Sequence, residues 1–109
     1  MDMRVAVVGG GSWGTTVAHL TAHNAPTVLY TRREDVAAAV NEQHMNPRYL
    51  AGYALHDDLS ASTDLAAVVS EADVLVMGVP SSGFRQTLVE VRPHLRPLIP
   101  VVSLAKGFE

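Results

Sequence analysis

The sequence has no cysteine, one tryptophan and one lysine in 109 residues. Without cysteine, neither a disulfide framework nor a thiolate metal site can form, which fits a reducing compartment. Charge is sparse and mixed: eight Lys plus Arg against eleven Asp plus Glu give a formal net charge of −3, without clusters. That balance argues against nucleic acid or an anionic membrane as the main partner. No apolar run approaches the ~18 residues of a membrane span, and the N-terminus lacks the apolar core and cleavage site of a secretory signal. A soluble cytoplasmic protein is the expectation. Seven of the eight cationic side chains are arginine, leaving Lys106 alone of its kind. The chain stops at "LAKGFE", three residues beyond that lysine, an ending that reads as a cut.

What is present is a single globular domain's worth of chain, 48% apolar, in which strand and helix periods alternate. "RVAVV" (4–8) is short and nearly all apolar, as a strand covered on both faces is. From Ser12 to about His23, Trp13, Val17 and Leu20 recur at helical spacing. "TVLYT" (27–31) predicts a second strand and "REDVAAAVNE" a second helix, with Thr31 and Glu34 spaced as a capping box. Residues 43–58 carry turn residues and no period, so a long loop is expected. "LSAST" predicts a short strand and "DLAAVVSEA" a helix capped by Thr63 or Asp64. "DVLVMGV" (73–79) is the strongest strand, and "SSGFRQTLVEV" gives a helix with Phe84, Leu88 and Val91 on one face. "PVVSLA" (100–105) closes the pattern. Such alternation implies right-handed crossovers and a parallel sheet: an α/β, doubly wound sheet of the Rossmann type, about five strands with helices on both faces.

Gly9, Gly11 and Gly14 form G-x-G-x-x-G directly after the first strand and at the start of the first helix, the context that makes the motif informative. Gly9 permits the tight turn, Gly11 leaves room for a pyrophosphate, and Gly14 lets the helix approach the sheet. The helix start offers free N–H groups and a positive dipole end to phosphates. Ser12 and Trp13 stand between Gly11 and Gly14, their N–H groups facing the expected ligand and the Ser12 hydroxyl available to donate. The Trp13 ring either walls the nicotinamide end of a cleft or packs in the core with Val17 and Leu20.

At the end of the second strand an acidic residue serves the ribose of NAD, whereas arginine accommodates the 2′-phosphate of NADP. Arg32 and Arg33 stand there and suit a phosphate. The alternative is a pair of exposed arginines tied to Glu34 or Asp35. Lys106 leaves the last strand at its carboxyl end, where it either binds a substrate or is an ordinary surface lysine. His19 and His23 are four apart on the first helix with no acidic third ligand, so a solvated face is favoured over a metal site. "VPSSGF" borders the same sheet edge, and "NPRYLAGY" reads as loop packing rather than a binding loop.

Together, "VVGGGSWGTTVA", "LYTRRED", "NPRYLAGY", "VLVMGVPSSGF" and "VVSLAKGFE" resemble the N-terminal portion of bacterial NAD(P)-dependent glycerol-3-phosphate dehydrogenase over essentially all 109 residues. The resemblance implies hydride transfer between NAD(P)H and dihydroxyacetone phosphate, giving sn-glycerol 3-phosphate for phospholipid synthesis. It implies NADPH or NADH as cofactor; with Arg32 and Arg33 the expectation is NADPH with NADH tolerated, no metal, and a homodimer as one assembly among those left open. Ser12, Trp13, Arg32 and Arg33 become cofactor contacts, and Lys106 touches cofactor and substrate. Two departures stand out: Gly10 replaces the family's usual alanine, and "YLAG" replaces "YLPG". The resemblance also implies a second, helical domain carrying the catalytic acid/base. Residues 1–109 are therefore expected to be a shortened dinucleotide-binding domain, inactive alone. Rival expectations are another dehydrogenase of ketopantoate reductase or sugar-nucleotide dehydrogenase type, a non-catalytic NADP(H)-binding regulator, and a truncated sheet that self-associates through an open edge.

Overall fold

A run of four buried residues with no polar member has to be covered on both sides, and β1 (Val5–Val8) is. The computed structural model describes residues 3–9, 11–48, 52–79 and 81–103. Along β1 the side chains alternate. Val5 and Val7 enter one core with helices α1 (Ser12–Ala22) and α2 (Glu34–Gln43), while Ala6 and Val8 enter the other with α3 (Leu65–Ser70) and α4 (Ser81–Val91). This period of two places one apolar layer on each face of the sheet. The remaining strands are β2 (Thr27–Tyr30), β3 (Leu59–Ser62), β4 (Val74–Met77) and β5 (Val101–Ser103). All pairings are parallel, in the order β3-β2-β1-β4-β5.

The order runs outward from β1 in both directions, so the connections diverge between β1 and β4. In open α/β sheets that divergence leaves a crevice beyond the carboxyl ends of the strands. The two edges differ. At β3, Asn41 of α2 donates to the Ala61 carbonyl at 2.9 Å and accepts from the Ala61 N–H at 2.8 Å, closing part of the edge with a side chain. At β5 all three residues are exposed.

Three local expectations need correction. The buried face of α1 is Gly14, Thr15, Ala18 and Ala22, whereas Trp13 and Leu20 are 74% and 58% exposed. Small residues prevail there because α1 lies close over β1 and β2, too close for large side chains. Packing of Trp13 in the core is thereby excluded. Thr31 does not build a capping box, since the N-cap of α2 is Arg33, without a side-chain cap. Thr31 Oγ1 instead accepts from the Arg33 N–H at 3.2 Å, a local turn that competes with capping. His19 is only partly exposed, and its Nδ1 accepts from the His56 N–H at 2.9 Å. The His23 and His56 rings meet edge-on with centroids 4.4 Å apart, so the 52–58 loop covers part of His19, while His23 stays exposed and the expected solvated face holds there.

Other expectations agree with the structure. Asp64 Oδ1 accepts from the Ala67 N–H at 3.2 Å and caps α3. Phe84, Leu88 and Val91 face the core beneath α4, with Val91 fully buried. In the long loop, Asn46 is fully buried and donates to Thr15 Oγ1 at 2.8 Å. Its start is therefore packed against the helix that follows the glycine loop; residues 49–51 of "NPRYLAGY" lie outside the described residues.

Candidate functional site

A cleft of about 620 Å³ opens at the carboxyl ends of β1, β2 and β4, where the connections diverge. Val8, Gly9, Gly11, Gly78 and Val79 line its floor; Tyr30 to Arg33 form one wall, and α4 forms the other.

The glycines of the first turn have three different reasons to lack a side chain. Gly9 has φ +126°, a conformation strained for any L-residue, and a Cβ there would lie 2.5 Å from the Gly78 carbonyl oxygen. At Gly14 a Cβ would fall on the Gly9 carbonyl oxygen, so the helix is held against the turn by direct main-chain contact. Gly11 is different. Its backbone is ordinary (φ −76°, ψ −173°), and no protein atom lies within 4 Å of the Cβ position. That open volume lies in the cleft, at the N-cap of an eleven-residue helix whose first N–H groups lack intrahelical acceptors. Room for an anion and donors to meet it therefore coincide, which is what a pyrophosphate requires.

On the β2 wall the two arginines separate. Arg33 is held by Asp35 through Nε to Oδ1 at 3.1 Å and Nη2 to Oδ2 at 3.3 Å. The Arg33 hydrogen bonds hold the Asp35 carboxyl below the usual carboxylate range. Arg32 instead reaches across the mouth, its Nη2 3.4 Å from Glu90 Oε1 on α4. Both arginines line the cleft, but only Arg33 follows the alternative of pairing with its own helix.

Trp13 projects from the first turn of α1 into solvent beside Gly11 and Gly14. The Ser12 side chain and all of Lys106 lie outside the described residues. The sequence alone missed Glu90 and Gln86. Their signal was the spacing Gly83, Gln86, Thr87, Glu90, one stripe along α4, and all four line the cleft. Among the described residues no group of three or more acidic or histidine side chains is arranged to hold a metal. Likewise, no helix among them is long and apolar enough to cross a membrane.

A five-stranded parallel sheet with helices on both faces, diverging over a glycine turn at a helix start, places the chain in the class of Rossmann-type domains. Comparison with known proteins narrows this. Residues 4–109 match the model of the family described as NAD-dependent glycerol-3-phosphate dehydrogenase N-terminus. A glycerol-3-phosphate dehydrogenase (NAD(P)+) 2 from Sphingopyxis alaskensis is 50% identical over 109 residues, covering 100% of this chain and 33% of that protein. A glycerol-3-phosphate dehydrogenase (NAD(P)+) from Mycobacterium avium is 51% identical, covering 99% and 32%. The solved structure of a glycerol-3-phosphate dehydrogenase from Saccharomyces cerevisiae superposes with a TM-score of 0.91 at 27% identity, covering 100% of this chain and 35% of that one. The chain belongs to the NAD-dependent glycerol-3-phosphate dehydrogenase family, as its N-terminal part, and spans about a third of the length of these relatives.

Proposed function

We propose that residues 1–109 form the dinucleotide-binding domain of a glycerol-3-phosphate dehydrogenase that prefers NADPH and tolerates NADH. The observation that carries this reading is the open volume over Gly11, in the cleft and at the N-cap of α1. Backbone N–H groups of the Ser12–Gly14 turn would meet the pyrophosphate, with the helix dipole adding to their attraction. Arg32 and Arg33 would hold the adenosine end, where charge-assisted bonds favour a 2′-phosphate over a hydroxyl. The bound nicotinamide supplies the hydride chemistry, while the protein supplies orientation and charge. Glycerol 3-phosphate is a secondary alcohol, so its oxidation yields dihydroxyacetone phosphate, and the reverse direction feeds phospholipid synthesis.

Lys106, at the carboxyl end of the last strand's sequence, is our candidate for substrate positioning. The catalytic acid/base is assigned to the part of the relatives that this chain does not span, so the 109 residues alone are expected to bind without turnover. The cytoplasm is the proposed compartment, supported by the lack of cysteine.

The test is a fluorescence titration of Trp13 with NADPH and with NADH. As the only tryptophan, set beside the glycine turn, it reports on the cleft directly. Saturable quenching, tighter for NADPH and weakened by Arg32→Ala, is expected. A folded sample that gives no signal and no calorimetric heat with either cofactor would refute the reading.

A further inference from the structure

Among the described residues that line the cleft, Glu90 carries the only carboxylate. It faces Arg32 from the opposite wall at 3.4 Å, and Gln86 Nε2 donates to its second oxygen at 3.4 Å. The Glu90 side chain is 38% exposed and the Arg32 side chain 69%. Glu90 also adjoins the fully buried Val91, which fixes the rotation of α4. The carboxylate is thus the anchored partner and the guanidinium the movable one. Arg33 already has Asp35. At the end of β2 the sequence reads Tyr30-Thr31-Arg32-Arg33, with no acidic residue in the place from which one normally serves a ribose hydroxyl.

We propose that Glu90 sets the choice between phosphorylated and unphosphorylated adenosine ribose, by clasping Arg32 across the mouth of the cleft. The inference rests on the dinucleotide reading above. A 2′-phosphate has to draw Arg32 away from Glu90 and then sit near a carboxylate, and both effects act against the phosphate alone. An unphosphorylated ribose leaves the clasp closed and offers hydroxyls for which Glu90 is the nearby acceptor. Arg32 and Glu90 therefore pull the cofactor preference in opposite directions. The position of the balance depends on a side chain 58 residues away from the arginine.

The experiment is calorimetric titration of wild type, Glu90→Gln, Glu90→Asp, Arg32→Ala and the Arg32→Ala/Glu90→Gln double variant. The ligands are NADPH, NADH, adenosine 2′,5′-bisphosphate and AMP, so that the readout is binding and not turnover. Releasing an exposed ion pair should tighten NADPH and the bisphosphate about two- to fivefold in Glu90→Gln, with NADH and AMP unchanged or slightly weaker. Glu90→Asp keeps the charge but withdraws it from Arg32, so its ratio should fall between the two. With Arg32 absent, the gain should vanish. An unchanged NADPH-to-NADH ratio in both Glu90 variants overturns the clasp alone, and so does an equal gain in the Arg32→Ala background. A wild type that binds none of the four ligands overturns the dinucleotide reading, and the clasp with it.

Discussion

Adding one methyl group to the glycine turn should separate folding from binding, depending on which glycine receives it. In Gly14→Ala the new Cβ falls on the Gly9 carbonyl oxygen and lies 2.9 Å from the Gly9 carbonyl carbon. The obstruction is main chain, so no side-chain rotation relieves it. Overpacking of this sort costs about 1–3 kcal/mol, occasionally more, and a backbone obstruction belongs at the upper end. Taking about 3 kcal/mol, and about 4–8 °C per kcal/mol for a domain near this size, the melting temperature should fall by roughly 12–24 °C. In Gly11→Ala the methyl meets no protein atom within 4 Å, and the backbone angles suit alanine. Alanine is a poorer N-cap by roughly 0.5–1 kcal/mol, while the reduced freedom of the unfolded chain returns about 0.4–1 kcal/mol. Stability should therefore stay within about 1 kcal/mol of wild type. Binding should not, because the methyl fills the volume assigned to the pyrophosphate; we expect NADPH affinity to fall at least about tenfold, or 1.4 kcal/mol. Thermal melts followed by circular dichroism and titrations of Trp13 emission measure the two effects. Wild-type affinity in a folded Gly11→Ala protein would refute the assignment of that volume to phosphate. An unshifted melt in Gly14→Ala would refute the close-packing argument.

Three further outcomes concern stability. Asn46→Ala removes a buried hydrogen bond to Thr15 and an acceptor for the Arg48 N–H; urea denaturation should show a loss of about 1–3 kcal/mol. Asp64→Ala removes the side-chain cap of α3 and should cost about 1 kcal/mol in the same assay. Acidification should destabilise in two steps. Burial, then the neighbouring His23 and His56, hold His19 below its ordinary 6.5; as pH falls below that value the unfolded chain takes up the proton first, so stability drops. The Arg4 N–H and then Arg96 hold the Asp73 carboxyl below 3.8, which adds a second loss beneath that pH. His19→Gln should remove the upper step in a plot of urea midpoint against pH, and a step that persists would show that another group causes it.

The strands were legible because burial on both faces leaves an unbroken apolar run, as in Val5–Val8 and Val74–Met77. Helix α4 was legible because Phe84, Leu88 and Val91 follow the helical period and pack as that period predicts. The face of α1 was not. Trp13, Val17 and Leu20 give the stronger hydrophobic signal, yet the close approach of α1 to the sheet selects Gly14, Thr15, Ala18 and Ala22. Periodicity weighs hydrophobicity, whereas this contact is decided by size. The glycine turn was readable because its three glycines stand at fixed spacing within six residues, two of them under a main-chain demand at Gly9 and Gly14 and one left open at Gly11. The stripe of α4 that carries Glu90 was there to be read, but its pairing with Arg32 was not, since the two lie 58 positions apart and meet only when β2 and α4 border one cleft. The same holds for Asn46 and Thr15, 31 positions apart.

The cleft divides its work between main chain and side chain, and the division has a consequence for how its preference can change. Gly9 and Gly14 touch carbonyl groups of the turn and of Gly78, so altering them disturbs the sheet–helix contact itself. Arg32 and Glu90 are partly solvated, and an exposed ion pair contributes little to folding, about 0–1 kcal/mol. Neither fills a core position, because α4 is anchored by Phe84, Leu88 and Val91 on its other side. Substitution at either residue should therefore leave stability within about 0.5 kcal/mol of wild type while moving the NADPH-to-NADH ratio in opposite directions. Matched urea midpoints for Arg32→Ala and Glu90→Gln, alongside opposite shifts in the ratio, are the expected pattern. If either variant lost more than about 2 kcal/mol, the pair would be a structural tie between β2 and α4, and cofactor preference could not be tuned there without disturbing the fold.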